Sequence, residues 1–342
     1  MTFFMDHEWQ FQHPVKIHCG RGCRRELANT LKKQNVLLVT SKRGLEVFRT
    51  DPWLKEIADH NTFTPIHPGS SLDRLQEDID TLRNQAANTF DLVLALGGGS
   101  IIDAAKVIDV ALSEACRNHA LRDLLLLPEL YRTAQTRPLY VLPTTAGTGS
   151  EATPFAVLWD RGEKLSMSGP ALFPHAAYVD SALMDTQPRA VTLSGGLDAI
   201  NQAAESIWNK NATPLTFACA ARALELGFDA LPQLLGRTKT HAETARDKMA
   251  EASLLAGFAI SHTRTALCHA LSYPLTGYFG IPHGLACAFT MPAVLRYNLA
   301  SEDGRFSQLA RILTGEANPE ALLQCFTRLH RSFHVSRLVK RK

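Results

Sequence analysis

Three metal-ligating side chains stand among small, apolar neighbours: Asp198 in GGLDAINQ, His269 in CHALSYP and His283 in IPHGLACAF. Gln202 follows Asp198 by four residues, so in a helix the two share a face. One carboxylate and two imidazoles form the mixed oxygen and nitrogen set that Zn²⁺ or Fe²⁺ accepts, with Gln202 as a weaker fourth donor. Each has an ordinary alternative: Asp198 could cap a helix, and either histidine could be a satisfied core residue. Glycine carries a second kind of chemistry. Gly97, Gly98 and Gly99, ahead of Ser100, strip every Cβ from the turn after the apolar run 93–96. Where such a turn opens a helix, a phosphate can approach the first amides, although a tight turn without a ligand has the same sequence. The stretch 143–151, PTTAGTGSE, follows a second apolar run at 139–142. Two small-residue loops at two strand ends suit a dinucleotide or a similar phosphorylated ligand.

These residues need elements to hold them. Residues 11–18, 36–40, 63–66, 93–96, 139–142 and 176–179 read as strands, and 72–87 and the stretch from Ile102 as helices. Short apolar runs alternating with helices argue for a parallel sheet covered on both faces. Residues 155–159 and 164–167, separated by Asp160-Arg161-Gly162, read as a hairpin. The section 116–138 is less regular, with a short helix interrupted at Pro128. Past Pro188 strand-like runs give way to long helices at 191–208, 215–235 and 242–261, with apolar residues three and four apart. The boundary falls between Asp180 and Pro188, giving an α/β nucleotide-binding domain at 1–183 and an all-α domain at 184–342. Past the strand at 36–40, Thr40, Ser41, Lys42 and Arg43 stand where an acidic residue would read the ribose of NAD; their chemistry suits a 2′-phosphate and hence NADP, or else a solvated loop.

The chain has 342 residues, enough for two cores. A net charge of +3, with both signs interspersed, gives no reason to expect nucleic acid as a partner; the basic run at 337–342 reads as a solvated tail. Seven cysteines without a CxxC pair fit reduced thiols and a cytoplasmic location. Asp6, His7 and Glu8 stand where a signal peptide would need an apolar core, and no stretch is long enough for a membrane span.

The chain resembles the iron-dependent (group III) alcohol dehydrogenase superfamily over nearly all its length. The matching stretches are GGGSIIDAAK from Gly97, PTTAGTGSEAT from Pro143, GGLDAINQAAES from Gly195 and CHALSYPLTGYFGIPHGLACAF from Cys268. The resemblance implies an N-terminal nucleotide-binding α/β domain, a helical C-terminal domain and NAD(P)-linked interconversion of an alcohol and an aldehyde or ketone. It implies that Gly97 to Ser100 and Asp103 contact the pyrophosphate region, that Thr144, Thr145, Thr148 and Lys164 line the cofactor cleft, and that Asp198, His269 and His283 are three of four metal ligands. The fourth, a histidine in the family, is Gln202 here, and a further histidine usual in many members is Tyr273. The chain also stops earlier than family members usually do, so the last helices of the helical domain are expected to be absent or reduced. The order CHALSYP with DAINQAAESIWNKNA is most similar to the branch of phosphonoacetaldehyde reductases, or hydroxyethylphosphonate dehydrogenases.

That branch implies reduction of phosphonoacetaldehyde to 2-hydroxyethylphosphonate with Fe²⁺, or else Zn²⁺, as Lewis acid. A phosphonate dianion needs cationic partners; Arg264, Lys210 and His262 are the candidates by sequence position, Arg264 foremost because a guanidinium matches phosphonate oxygens. Arg264 could equally be a surface charge. Water or the cofactor ribose would protonate the alkoxide, with Tyr273 or His262 as relays. The alternatives are a dehydrogenase for a neutral short-chain alcohol or aldehyde, a metal-dependent synthase or lyase of the dehydroquinate synthase type, and a nucleotide-binding protein without turnover. A homodimer is expected only by resemblance.

Overall fold

The alternation of continuous apolar runs with amphipathic segments yields, in the computed structural model, six parallel strands and the helices that cover them. The structure describes residues 8–68, 71–84, 90–236 and 241–339. The strands of the main sheet are β1 (Lys16–Cys19), β2 (Asn35–Thr40), β3 (Thr62–Ile66), β4 (Leu92–Gly97), β5 (Leu139–Pro143) and, after the hairpin β6 (Phe155–Asp160) and β7 (Glu163–Ser168), β8 (Ala176–Val179). Their order is β1-β8-β5-β4-β2-β3, all parallel, and β6 and β7 form a separate antiparallel pair. Between the strands run α1 (Leu27–Thr30), α2 (Lys42–Thr50), α3 (Pro52–His60), α4 (Leu72–Asn84), α5 (Gly99–Ala111) and α6 (Leu121–Leu126). β4 is buried at every residue. The side chains of β2 and β4 pack with Leu27, Leu31, Phe48, Leu54 and Ile57 into one apolar cluster.

Topology selects the site within this sheet. The chain passes from β2 outward to β3, then returns to place β4 on the other side of β2. At such a reversal the loops beyond the carboxyl ends of the two strands diverge and leave a crevice, where open α/β sheets bind ligands. Here the two ends are Thr40 and Leu96, which are register partners, followed by the glycine turn.

The helical unit contains α7 (Arg189–Ile207), α8 (Pro214–Leu235), α9 (Ala242–Thr263), α10 (Leu267–Gly277), α11 (His283–Leu299), α12 (Arg305–Thr314), α13 (Pro319–Ser332) and α14 (Val335–Val339). Eleven consecutive residues, from Leu197 to Ile207, are buried, and the polar members of the stretch, Asp198, Asn201, Gln202, Glu205 and Ser206, are all inside. A buried polar side chain costs free energy unless it has a partner, so this stripe of α7 marks a site rather than a core.

Compact packing divides the chain between Thr186 and Gln187, and it also assigns residues 8–13 and Ala146–Gly149 to the helical unit. The first strand accordingly starts at Lys16, later than residue 11: Pro14 has no amide to give a ladder, while Phe11 stacks on His262 at 4.1 Å between ring centroids. The expected end of the helix at Ala87, Gly69 after the third strand and the tail residues 340–342 lie outside the described residues. All seven cysteines are free. Among the described residues no helix is long and apolar enough to cross a membrane.

Candidate functional site

The helical unit gathers a metal-type donor set. Asp198 comes from the middle of α7, His269 from the first turn of α10, and His283 and Cys287 from successive turns of α11. One ligand atom from each of these four lies within 4.8 Å of the others. His269 Nε2 is 3.4 Å and His283 Nε2 3.8 Å from Asp198 Oδ1. Close backbone approach makes this possible. Gly284, at the start of α11, faces α7 so tightly that a Cβ there would collide with the Ser194 carbonyl and come within 2.9 Å of the Asp198 amide.

The donors are poised for a cation. Asp198 Oδ1, His269 Nε2 and Gln202 Oε1 are buried without a hydrogen-bond partner, which is costly in a protein interior and is resolved by a coordinated ion. Burial opposes protonation of His269, yet the acidic groups around it, Cys287, Asp198 and Glu205, hold its pKa well above the ordinary value. Burial likewise opposes ionisation of Cys287, but the two histidines bring its thiol down to about 7. Positive charge is thus what the cluster attracts, and a divalent metal fits the residues present.

Glu205, absent from the sequence-derived site, completes the support. Its carboxylate accepts a hydrogen bond from His269 Nδ1 and from the amides of Cys268 at 2.5 Å and Ala266 at 3.0 Å. Burial alone would raise its pKa; these donors and the charge of His269 take it below the usual value. Glu205 lies seven residues after Asp198, two turns along the same face, a spacing that was available as a signal.

Gln202 is on α7 beside Asp198, donating from Nε2 to the Thr148 carbonyl at 3.3 Å. The Ala146–Gly149 segment owes its glycines to packing: a Cβ on Gly147 would stand 2.7 Å from Gly195 Cα, and Gly149 adopts a left-handed φ of +62° against Gly257. Tyr273 is one turn beyond His269 on α10 and half-buried. His262 has both ring nitrogens engaged: Nε2 accepts from the Gln12 amide at 3.3 Å, and Nδ1 pairs with Ser261 Oγ at 2.8 Å. Arg264 is exposed and ends α9 with φ 62° and ψ −176°, a conformation normally left to glycine. Lys210 is exposed on the turn after α7, nine residues of helix and more beyond Asp198, hence over ~13 Å along the axis.

In the α/β unit, Gly98 precedes α5 with no side chain capping the helix, and Ser100 is exposed in its first turn. A Cβ on Gly98 would come 3.0 Å from Thr145 Oγ1. The bare helix start, the glycine cradle and the half-buried Thr144 and Thr145 beside it fit a pyrophosphate. Asp103 is turned to other work: it accepts from Ser150 Oγ at 2.5 Å and from the Val157 amide at 2.9 Å. Lys164, on β7, is near enough for its charge to act on Asp103. Lys106, fully buried, donates to the carbonyls of Ser150, Thr153 and Phe155 at 2.7–2.8 Å and so pins the chain after residue 149. At the end of β2, Thr40 Oγ1 donates to the Leu96 carbonyl at 2.7 Å, and Ser41 caps α2 by accepting from Gly44 N. Lys42 is exposed; Arg43 donates to Thr186.

Comparison with known proteins agrees with this geometry. The family profile described as iron-containing alcohol dehydrogenase matches residues 14–181, and that of the Fe-containing alcohol dehydrogenase family, C-terminal, matches 192–340. The chain belongs to the iron-containing alcohol dehydrogenase family. The sulfoacetaldehyde reductase of Bifidobacterium kashiwanohense, solved in complex with NAD+, superposes with a TM-score of 0.81 at 30% identity, covering 95% of this chain and 85% of that one. The phosphonoacetaldehyde reductase of Streptomyces viridochromogenes is 35% identical over 267 residues, 75% of this chain and 66% of the relative. The probable alcohol dehydrogenase EutG of Escherichia coli is 37% identical over 228 residues, 65% of this chain and 55% of the relative. The matched stretches thus span less than two thirds of these two curated relatives.

Proposed function

We propose that the protein is a metal-dependent, NAD(P)H-linked reductase of a short aldehyde bearing a tetrahedral oxyanion, with phosphonoacetaldehyde, reduced to 2-hydroxyethylphosphonate, as its substrate. The observation that carries the chemistry is the cluster of Asp198, His269 and His283, in which buried Asp198 Oδ1 and His269 Nε2 lack hydrogen-bond partners. When bound, a divalent cation supplies Lewis-acid polarisation of the aldehyde oxygen and a nicotinamide supplies the hydride. The protein's own contribution is placement. Gly97, Gly98 and the start of α5 bind the pyrophosphate, and Glu205 holds the His269 ring in orientation. Tyr273, one turn beyond His269 on α10, is the side chain for a proton relay, since both nitrogens of His262 are engaged. Lys42, the first residue of α2 after β2, favours a 2′-phosphate and so NADPH over NADH.

The substrate follows from two relatives, a phosphonoacetaldehyde and a sulfoacetaldehyde reductase, and from Arg264. Arg264 joins α9 to the helix that carries His269, in a backbone conformation that costs about 1–3 kcal/mol and recurs at functional sites. A guanidinium there can bind two oxyanion oxygens at once. The test is kcat/KM for phosphonoacetaldehyde, sulfoacetaldehyde and acetaldehyde with NADPH and NADH. Preference for the phosphonate, lost on Arg264→Ala while acetaldehyde turnover survives, supports the reading. Preference for the sulfonate reassigns the anion, and equal use of all three removes it.

A further inference from the structure

Where family members carry a histidine four residues after the metal-binding aspartate, this chain has Gln202, a neutral and weaker donor. Replacement of imidazole by a carboxamide should cost metal affinity, unless another side chain compensates. Cys287 stands in the right place. It follows His283 by one helical turn on α11, and its Sγ is 3.8 Å from His283 Nε2. Its sulfur belongs to the same group of ligand atoms as Asp198, His269 and His283, all within 4.8 Å. The residue is fully buried and forms no disulfide, so neither solvent nor another cysteine explains it.

Donor chemistry points the same way. Asp198, Gln202 and His269 are each at most 4% exposed, so solvent is poorly placed to complete a coordination shell. A thiolate is a stronger donor to a borderline metal than the neutral carboxamide of Gln202. Metal binding of this kind displaces the thiol proton to solvent, leaving the sulfur lone pair for the ion. Cys268, the other buried cysteine nearby, is a poor substitute. Its sulfur does not belong to the group of ligand atoms that gather within 4.8 Å of one another.

We propose that Cys287 is a metal ligand, forming with Asp198, His269 and His283 a donor set that selects Zn²⁺ over Fe²⁺. The inference rests on the metal-dependent reading above and deepens it. Sulfur and imidazole nitrogen are the donors zinc prefers in proteins, and at equal availability the order of intrinsic affinities also places zinc above ferrous iron. The unpartnered Oε1 of Gln202 remains as a weaker oxygen beside this set.

Anaerobic reconstitution of the full chain with Co²⁺ tests the sulfur directly. The wild-type protein should bind one ion per chain and show an intense near-ultraviolet sulfur-to-cobalt charge-transfer band. Cys287→Ser should lose the band and bind at least about tenfold more weakly, a difference of about 1.4 kcal/mol, while Cys268→Ser keeps the band. Offered equal Zn²⁺ and Fe²⁺, the wild-type protein should retain zinc. Should Cys287→Ser fail to fold, X-ray absorption at the zinc edge of the wild-type protein is decisive: a sulfur shell at about 2.3 Å is expected. One bound ion with only nitrogen and oxygen neighbours would overturn the role of Cys287 and leave the metal-dependent reading intact. Failure to bind any divalent ion would overturn both.

Discussion

Glu205 accepts a hydrogen bond from Nδ1 of His269, and this determines that Nε2 of the same ring faces Asp198. An ionised carboxylate can only accept, so Nδ1 carries the proton and Nε2 is left as the coordinating nitrogen. The same carboxylate takes the amides of Ala266 and Cys268, tying the start of α10 to α7. Glu205→Gln presents a donor to groups that are themselves donors. Metal affinity is expected to fall by about 10–100-fold, measured by chelator competition, with a lower thermal midpoint for the metal-free protein. An unchanged affinity would mean that the ring is oriented by other contacts.

The contact between Gly284 and α7 makes the second prediction. Gly284→Ala inserts a methyl group against the Ser194 carbonyl and the Asp198 amide, and backbone on both sides has little room to yield. Destabilisation of about 1–3 kcal/mol is expected from overpacking. Because α11 carries His283, metal binding should weaken too. Denaturant unfolding and metal titration on the same variant check both, and a variant as stable as wild type would show that the helices can separate at no cost.

For the nucleotide, the cradle predicts an effect separable from the metal. Gly98→Val directs a branched side chain at Thr145, into the space above the start of α5. The dissociation constant for NAD(P)H, read by fluorescence titration, should rise by about tenfold or more, while metal content stays at the wild-type level. Unaltered nucleotide affinity would place the pyrophosphate elsewhere.

Glu151 makes stability depend on pH. Burial raises its carboxyl from 4.5 to about 7, against the lowering effects of its own backbone and Lys106. The folded protein therefore binds this proton more tightly than the unfolded chain. The stability it contributes is full below pH 4.5, declines as pH rises towards 7 and is level above that. Within this window the slope from one such group is at most about 1.4 kcal/mol per pH unit. Glu151→Gln should flatten that decline in denaturant unfolding measured from pH 4.5 to 7.5; a variant with the wild-type slope would assign the effect to other groups.

The sheet was legible because buried parallel strands read as short, continuous apolar runs, and β2, β4, β5 and β8 fall where those runs do. The first strand was legible only in part, since the pull of the helical unit on Phe11 is a tertiary contact with no local pattern. For the same reason Gly147 and Gly149 look like a phosphate loop in sequence, whereas their lack of a Cβ serves contact with Gly195 and Gly257. In the metal cluster, Asp198, His269 and His283 stood out as polar residues among small ones. Cys287 and Glu205 did not, because a cysteine beside alanines and a glutamate in a helix have common structural explanations. Their spacings, four residues after His283 and seven after Asp198, were the available signals, and they acquire meaning only once α7, α10 and α11 are packed together.

Metal dependence of nicotinamide oxidation tests the proposed chemistry most directly. The rate of NADPH and NADH consumption with phosphonoacetaldehyde would be measured for protein stripped by chelator and for the same protein given back Zn²⁺ or Fe²⁺ under anaerobic conditions. The expected result is negligible turnover without metal and recovery at one equivalent per chain. Full activity in the stripped protein, or product formation with no net change in nicotinamide absorbance, would contradict it.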